Sequence, residues 1–141
     1  MPYIEPSRDQ VAALQQRGID GPVEMLNLLR FREIADYSRS PQLAPDGELS
    51  GAEAYAEYSR CTIPHLQRVG AEVVWMGRGG AAMIGPLDER WDVALLVRYP
   101  DVAAFLRMTS SEEYLATVGH RTAALADSRL LPLESTDRVL G

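Results

Sequence analysis

Two short stretches of this chain are apolar on both alternating rows. Residues 23–31 read VEMLNLLRF and residues 91–99 read WDVALLVRY. In the first, Val23, Met25, Leu29 and Phe31 form one row and Leu26 and Leu28 the other. In the second, Trp91, Val93, Leu95, Val97 and Tyr99 alternate with Ala94 and Leu96. Short apolar runs between turn residues read as strands buried on both faces. Residues 72–84 predict another strand, in which Gly77, Gly79 and Gly80 imply a bulge or tight bend. Residues 129–133 predict a short last strand.

Helical spacing governs most of the remainder. Ser7, with Gln10 three residues on, opens a helix over 7–17 that Gly18 ends. Ser50 with Glu53 is a second capping box, and Tyr55, Tyr58, Thr62, Leu66 and Val69 follow at helical spacing up to Gly70. Pro64 inside that run predicts a kink or a split. Another helix spans 101–108. Ser110 with Glu113 predicts a third capping box before a helix over 112–125. Residues 32–49, with Pro41, Pro45, Asp46 and Gly47, read as a long loop, a length that usually marks a lid or a mobile segment.

The order is therefore β-α-β-β-α-β with a helix in front, the ferredoxin-like α+β arrangement around an antiparallel four-stranded sheet. We expect one domain over 1–141, with a helical extension at 1–20 and a loosely held tail at 134–141. The central strands lack a polar face, yet this topology supplies helices to one face only. A second copy of the chain is the expected cover for the other face, since an uncovered one would be a large apolar patch. The N-terminal helix, about three turns long, is the alternative cover.

Composition narrows the function. The net charge is −6, which disfavours nucleic-acid partners. All 14 basic residues are arginine, so lysine Schiff-base chemistry and a P-loop are excluded. No stretch reaches a membrane span of about 18 apolar residues. The first ten residues carry prolines and charges where a signal peptide needs an apolar run, and Cys61 has no cysteine to pair with. These features predict a cytoplasmic protein.

Several strings, in order, resemble the DUF1330 family. They are PVEMLNLLRF from Pro22, Ser50-Gly51 with Tyr55 and Tyr58, Gly70, Trp91-Asp92-Val93 with Val97-Arg98-Tyr99-Pro100, Glu113-Tyr114 and His120-Arg121. One departure is Asp101, where the family often has serine. The resemblance implies a ferredoxin-like fold that dimerises by packing two sheets as a dimeric α/β barrel. It implies no single reaction, because the wider superfamily includes haem-binding oxygenases, cofactor-free monooxygenases, lactone isomerases and polyketide cyclases.

Five residues are candidates for chemistry. Asn27 interrupts the row Val23, Met25, Leu29, Phe31, and a buried amide needs partners. It is either a pocket amide that orients a substrate or an amide satisfied by nearby backbone. Arg121 falls on the sheet-facing side of its helix, as an anion clamp or as a stem paired with Asp92 or Glu24. His120 is the acid–base candidate, although the same wheel points it away from the apolar stripe. Tyr58 can offer a phenol to a ligand or simply fill core. Arg98 would join Arg30 at an anion-receiving end if the two central strands ran parallel. Cys61 and His65 share a helix face but find no third ligand, so no metal is expected, and no cofactor either.

The expected function is a pocket between sheet and helices, lined by Asn27, Tyr58, Arg98 and Arg121. It would serve a cofactor-independent isomerase, cyclase or monooxygenase acting on an aromatic or polyketide-like compound. A non-enzymatic homodimer that binds a metabolite or protein is the alternative, and a haem-handling oxygenase a lesser one. Expected partners are a second copy and a small molecule, with no nucleic acid and no membrane.

Overall fold

A computed structural model describes residues 2–136. Helix α1 (Arg8–Gln16) begins at Ser7, whose side chain accepts from the Gln10 amide while the Gln10 side chain returns the bond. Strand β1 (Val23–Phe31) coincides with the nine residues read from the sequence. Helix α2 runs Gly51–Arg68 from the Ser50–Glu53 capping box. Strands β2 (Glu72–Arg78) and β3 (Val93–Tyr99) follow. Helices α3 (Val102–Thr109), α4 (Glu112–Thr117) and α5 (Gly119–Ala124) lead to strand β4 (Leu125–Leu133). Among the described residues no helix is long and apolar enough to cross a membrane.

The sheet order is β2-β3-β1-β4, and every pairing is antiparallel. This is the ferredoxin-like arrangement. It corrects the parallel register considered for the two central strands: Glu24 stands opposite Arg98, not at the far end from it. Arg30 and Arg98 therefore lie at opposite ends of the pair.

Other boundaries move for local reasons. The strand expected over 72–84 stops at Arg78, where the chain leaves the sheet as a long excursion. The strand expected from Trp91 begins at Val93. The last strand starts four residues before the expected Arg129. The cap of α4 is Ser111, whose hydroxyl accepts from the Tyr114 amide, and not Ser110. The single helix expected over 112–125 is two helices. Pro64 does not split α2. Of the expected loose tail, 137–141 lie outside the described residues, and Ser135 donates to the Glu24 carboxylate at 3.1 Å.

Burial follows parity along β1. Val23, Met25 and Leu29 are at most 1% exposed, while the intervening residues are half-buried. The buried row faces the helices: one core cluster joins Val23 and Met25 to Met108 and Tyr114, and another joins Leu29 to Ala54 and Ala124. Leu14 of α1 belongs to the first cluster, so α1 packs on the helical side and leaves the other face uncovered. That open face carries the row of Leu26 and Leu28 with Ala94 and Leu96 opposite. It also carries Trp75, 57% exposed, and Leu131, 52% exposed. The Trp75 indole lies over Gly77, where an added Cβ would stand 2.7 Å from the ring. That contact explains one glycine of the run in β2.

The start of α2 is fastened to the sheet by close backbone approach. Arg32 N–H donates to Ala124 O at 2.8 Å, and Gly51 N–H donates to Arg32 O at 3.0 Å. A Cβ on Gly51 would collide with Arg32 O and stand 2.6 Å from Ala124 O. Both obstacles are backbone and cannot rotate away. We expect Gly51→Ala to cost about 1–3 kcal/mol in urea unfolding. Gly80→Ala, with nothing within 4 Å of the new Cβ, should change stability far less. Equal effects at the two positions would refute the close-approach account.

Candidate functional site

Asn27 belongs to the row that faces the helices. It is 9% exposed, and its Nδ2 donates to Met25 O at 3.2 Å. Nothing among the described residues donates to its Oδ1. Its cross-strand partner Leu95 packs against both core clusters. Tyr58 packs on one of those clusters and Tyr55 on the other. Asn27 thus lies in the row between Met25 of one cluster and Leu29 of the other.

These tyrosines form part of a larger set. The Tyr58 and Tyr114 hydroxyls are 2.9 Å apart. The Tyr55 and Tyr58 rings lie 5.2 Å apart and tilted, and Tyr58 meets Tyr114 edge-on at 6.1 Å. Two hydroxyls joined by one hydrogen bond keep one proton undirected, available to a ligand. Burial, then the neighbouring Tyr58, pushes the Tyr55 phenol well above its ordinary value, and the Arg121 guanidinium opposes that rise. Burial raises Tyr114 and Tyr99 in the same way. All three therefore stay neutral hydrogen-bonding groups at neutral pH.

Arg121 projects from α5 toward this set. Its guanidinium donates to Ile4 O of the N-terminal segment. No carboxylate lies within 4 Å of it among the described residues. Both acids considered as partners are engaged elsewhere. Asp92 accepts from the Phe31 amide at 2.8 Å, and Glu24 faces Arg98 at 3.4 Å. Ile4 also lines a cleft of about 330 Å³ with Tyr3, Arg32, Asp36 and Arg39. A second cleft of about 140 Å³ adjoins it between Ser40, Leu43, Leu115 and Gly119. The two share Glu5, Arg39 and Thr122.

Of the five sequence candidates, the structure brings Asn27, Tyr58 and Arg121 to the helical side of the sheet. Arg98 does not join them. It lies on the open face opposite Glu24, with Glu72 at 3.9 Å from its other nitrogen, an exposed ion pair that contributes little to stability. Tyr55, Tyr99 and Tyr114 gather around Tyr58, a grouping that sequence reasoning misses. Each looks like core on its own element, and only the crossing of α2 over α4 and β3 groups them.

A family model described as "Domain of unknown function (DUF1330)" matches residues 47–133. The chain belongs to the DUF1330 family. The RPA0582 protein of unknown function from Rhodopseudomonas palustris is 40% identical, with 98% of this chain and 100% of that one covered and a TM-score of 0.84. Its methylated form is 39% identical, with 99% and 98% covered and a TM-score of 0.85. A Caulobacter crescentus protein, whose own description as an antibiotic biosynthesis monooxygenase is provisional, is 10% identical. It covers 88% of this chain and 99% of its own, with a TM-score of 0.53, and this likeness shows the fold alone. No curated protein matches.

In this DUF1330 domain His120 stands apart from Arg121. Its Nδ1 is 2.8 Å from the Tyr37 hydroxyl of the 32–49 loop, and the rings meet edge-on. That loop is fastened to α5: the Asp36 amide donates to Ala123 O at 2.9 Å, and Ser40 and Leu43 pack on Gly119. Among the described residues no group of three His, Cys, Asp or Glu side chains is placed to hold a metal ion. Burial holds His120 below the usual imidazole value, with Glu57 pulling it up and Arg60 pushing it down. Burial raises Tyr37, as do Glu57 and Cys61, so its phenol stays protonated.

A histidine whose folded value is lowered binds fewer protons folded than unfolded. Its contribution is complete above the ordinary value of about 6.5 and is lost as pH falls through the folded value. We expect the urea midpoint to fall between neutral pH and about pH 5 in the wild type. It should fall less in His120→Asn, whose amide oxygen still accepts from Tyr37. Superimposed pH profiles would remove His120 as the titrating group.

Proposed function

We propose that this domain is a homodimeric small-molecule binder or cofactor-independent enzyme whose ligand is a small aromatic anion. The carrying observation is Arg121, half-buried beside neutral phenols with no carboxylate within 4 Å among the described residues. A charge-assisted hydrogen bond to a carboxylate or phenolate is the chemistry such a guanidinium lacks inside the chain. Asn27 Oδ1 offers an acceptor without a donor among the described residues, and the Tyr58–Tyr114 pair offers an undirected proton. Tyr55 and Tyr58 supply ring faces for an aromatic body.

Cofactor-independent isomerisation, cyclisation or oxygenation of such a compound fits groups that orient and hydrogen-bond without a nucleophile. The non-enzymatic alternative uses the same site and differs only in the absence of turnover. His120 then serves as acid–base residue only if the 32–49 loop releases it from Tyr37. Homodimerisation is part of the reading because Trp75, Leu131 and Leu133, 37% exposed, lie on a sheet face without cover.

Salicylate is a suitable probe, since it carries a carboxylate and a phenol on one ring. Isothermal titration should show saturable binding to the wild type. Arg121→Ala should weaken it by about 10–100-fold, the loss expected of a charged hydrogen bond, and Asn27→Ala by several-fold. Both variants must first show a native thermal transition. Unchanged affinity in both would sink the assignment.

A further inference from the structure

The excursion between β2 and β3 carries the most exposed large apolar side chains among the described residues. Met83 and Leu87 are each 99% exposed and Ile84 is 96% exposed. One exposed leucine means little, but three such side chains within five residues make a patch. The segment is nevertheless built. A bridge pairs Ala81 with Arg90. The Trp91 amide donates to Gly80 O at 3.0 Å, and the Glu89 amide closes a turn on Pro86 O at 3.1 Å. The Gly79 backbone abuts Trp91 O, leaving 2.5 Å for a Cβ. These contacts hold the base of an arm whose apolar tip is almost fully exposed among the described residues.

We propose that residues 79–92 form a clasp that packs Met83, Ile84 and Leu87 onto a second copy of this chain, beside the open sheet face. This rests on the homodimer reading above. Area argues for it first. The four strands, of nine, seven, seven and nine residues, span about 19 Å by about 26 Å, a flat footprint of about 500 Å². A stable interface buries about 800 Å² on each partner, so the sheet face needs adjoining apolar surface. The arm is that surface, and it is continuous with the face through Trp75 on the same hairpin. Symmetry argues next. In a two-fold interface each copy presents both a clasp and its receptor, and exposed Leu131 and Leu133 at the opposite edge are apolar surface of the right kind. Charge argues against the bilayer as occupant: the chain carries −6, and within 79–92 Asp88, Glu89 and Asp92 outnumber Arg90.

Sedimentation velocity over a range of concentrations tests the clasp. Met83→Asp with Leu87→Asp removes no contact of the folded monomer, so folding should be unaffected. The pair should weaken dimerisation by about 100-fold. A photo-reactive benzoylphenylalanine placed at Ile84 should yield a covalent dimer, its cross-linked peptide derived from the sheet of the other subunit. A dimeric wild type with an unchanged double variant and no covalent dimer would overturn the clasp and leave the dimer standing. A wild type that stays monomeric throughout would overturn the dimer reading and the clasp with it. Cosedimentation of the wild type with phosphatidylglycerol vesicles, abolished by the two aspartates, would overturn the clasp in favour of a bilayer.

Discussion

A four-stranded sheet whose central strands are apolar on both faces needs two covers, and the described residues fold only one. Helices α1 to α5 all bury their apolar residues against the row of Val23, Met25 and Leu29. That side becomes a closed core with residues near zero exposure. The other row keeps Leu26, Leu28 and Leu96 half-buried and Trp75 and Leu131 largely exposed. The same strand therefore has two faces with different tasks. One holds the domain together, and the other presents apolar area that costs free energy while it stays in water.

The one-sided cover also decides where polar groups can gather. The helix-facing row of β1 is interrupted at Asn27, and on the same side of the sheet α2 and α4 bring Tyr55, Tyr58 and Tyr114 together. The Arg32–Ala124–Gly51 backbone contacts fix α5 against the start of α2. Helix α5 is six residues long, and successive side chains on it diverge by about 100°. Neighbouring residues therefore serve different surroundings: His120 meets the 32–49 loop, and Arg121 meets the tyrosines and the N-terminal segment. The two candidate chemistries are adjacent in sequence and separated by the turn of one helix.

Much of the fold is legible in the order of the residues. Strand β1 can be read to the residue, because Gly21-Pro22 and the charged Arg32 bracket a largely apolar run. The capping boxes of α1 and α2 are equally plain, since both partners of each lie within four residues. What escapes a sequence reading depends on contacts distant along the chain. Ser110 and Ser111 are equally good caps in isolation, and packing selects the second. The helix over 112–125 is divided between Thr117 and Gly119, and Ser40 and Leu43, some 80 residues earlier, occupy the space a side chain at Gly119 would need. The direction of β3 relative to β1 is set by the connection through β2, and with it the separation of Arg98 from Asn27. The tyrosine cluster escapes for the same reason: α2, β3 and α4 each contribute, and no local pattern links them.

The electrostatics of Arg121 give that cluster its meaning. A guanidinium stays charged at any accessible pH, so partial burial must be offset by hydrogen bonding. Here the offset comes from Ile4 O and from phenols that burial keeps neutral. Neutral partners accept from the guanidinium but bring it no opposite charge. An anion brought to the same donors gains the Coulombic term that carbonyl and phenol oxygens do not supply, and gains more of it where side chains exclude water. A neutral ligand would only exchange one dipole for another. The asymmetry favours an anionic ligand over a neutral one of the same shape. On the proposed reading, such a ligand would compete with the Ile4 carbonyl for the Arg121 guanidinium.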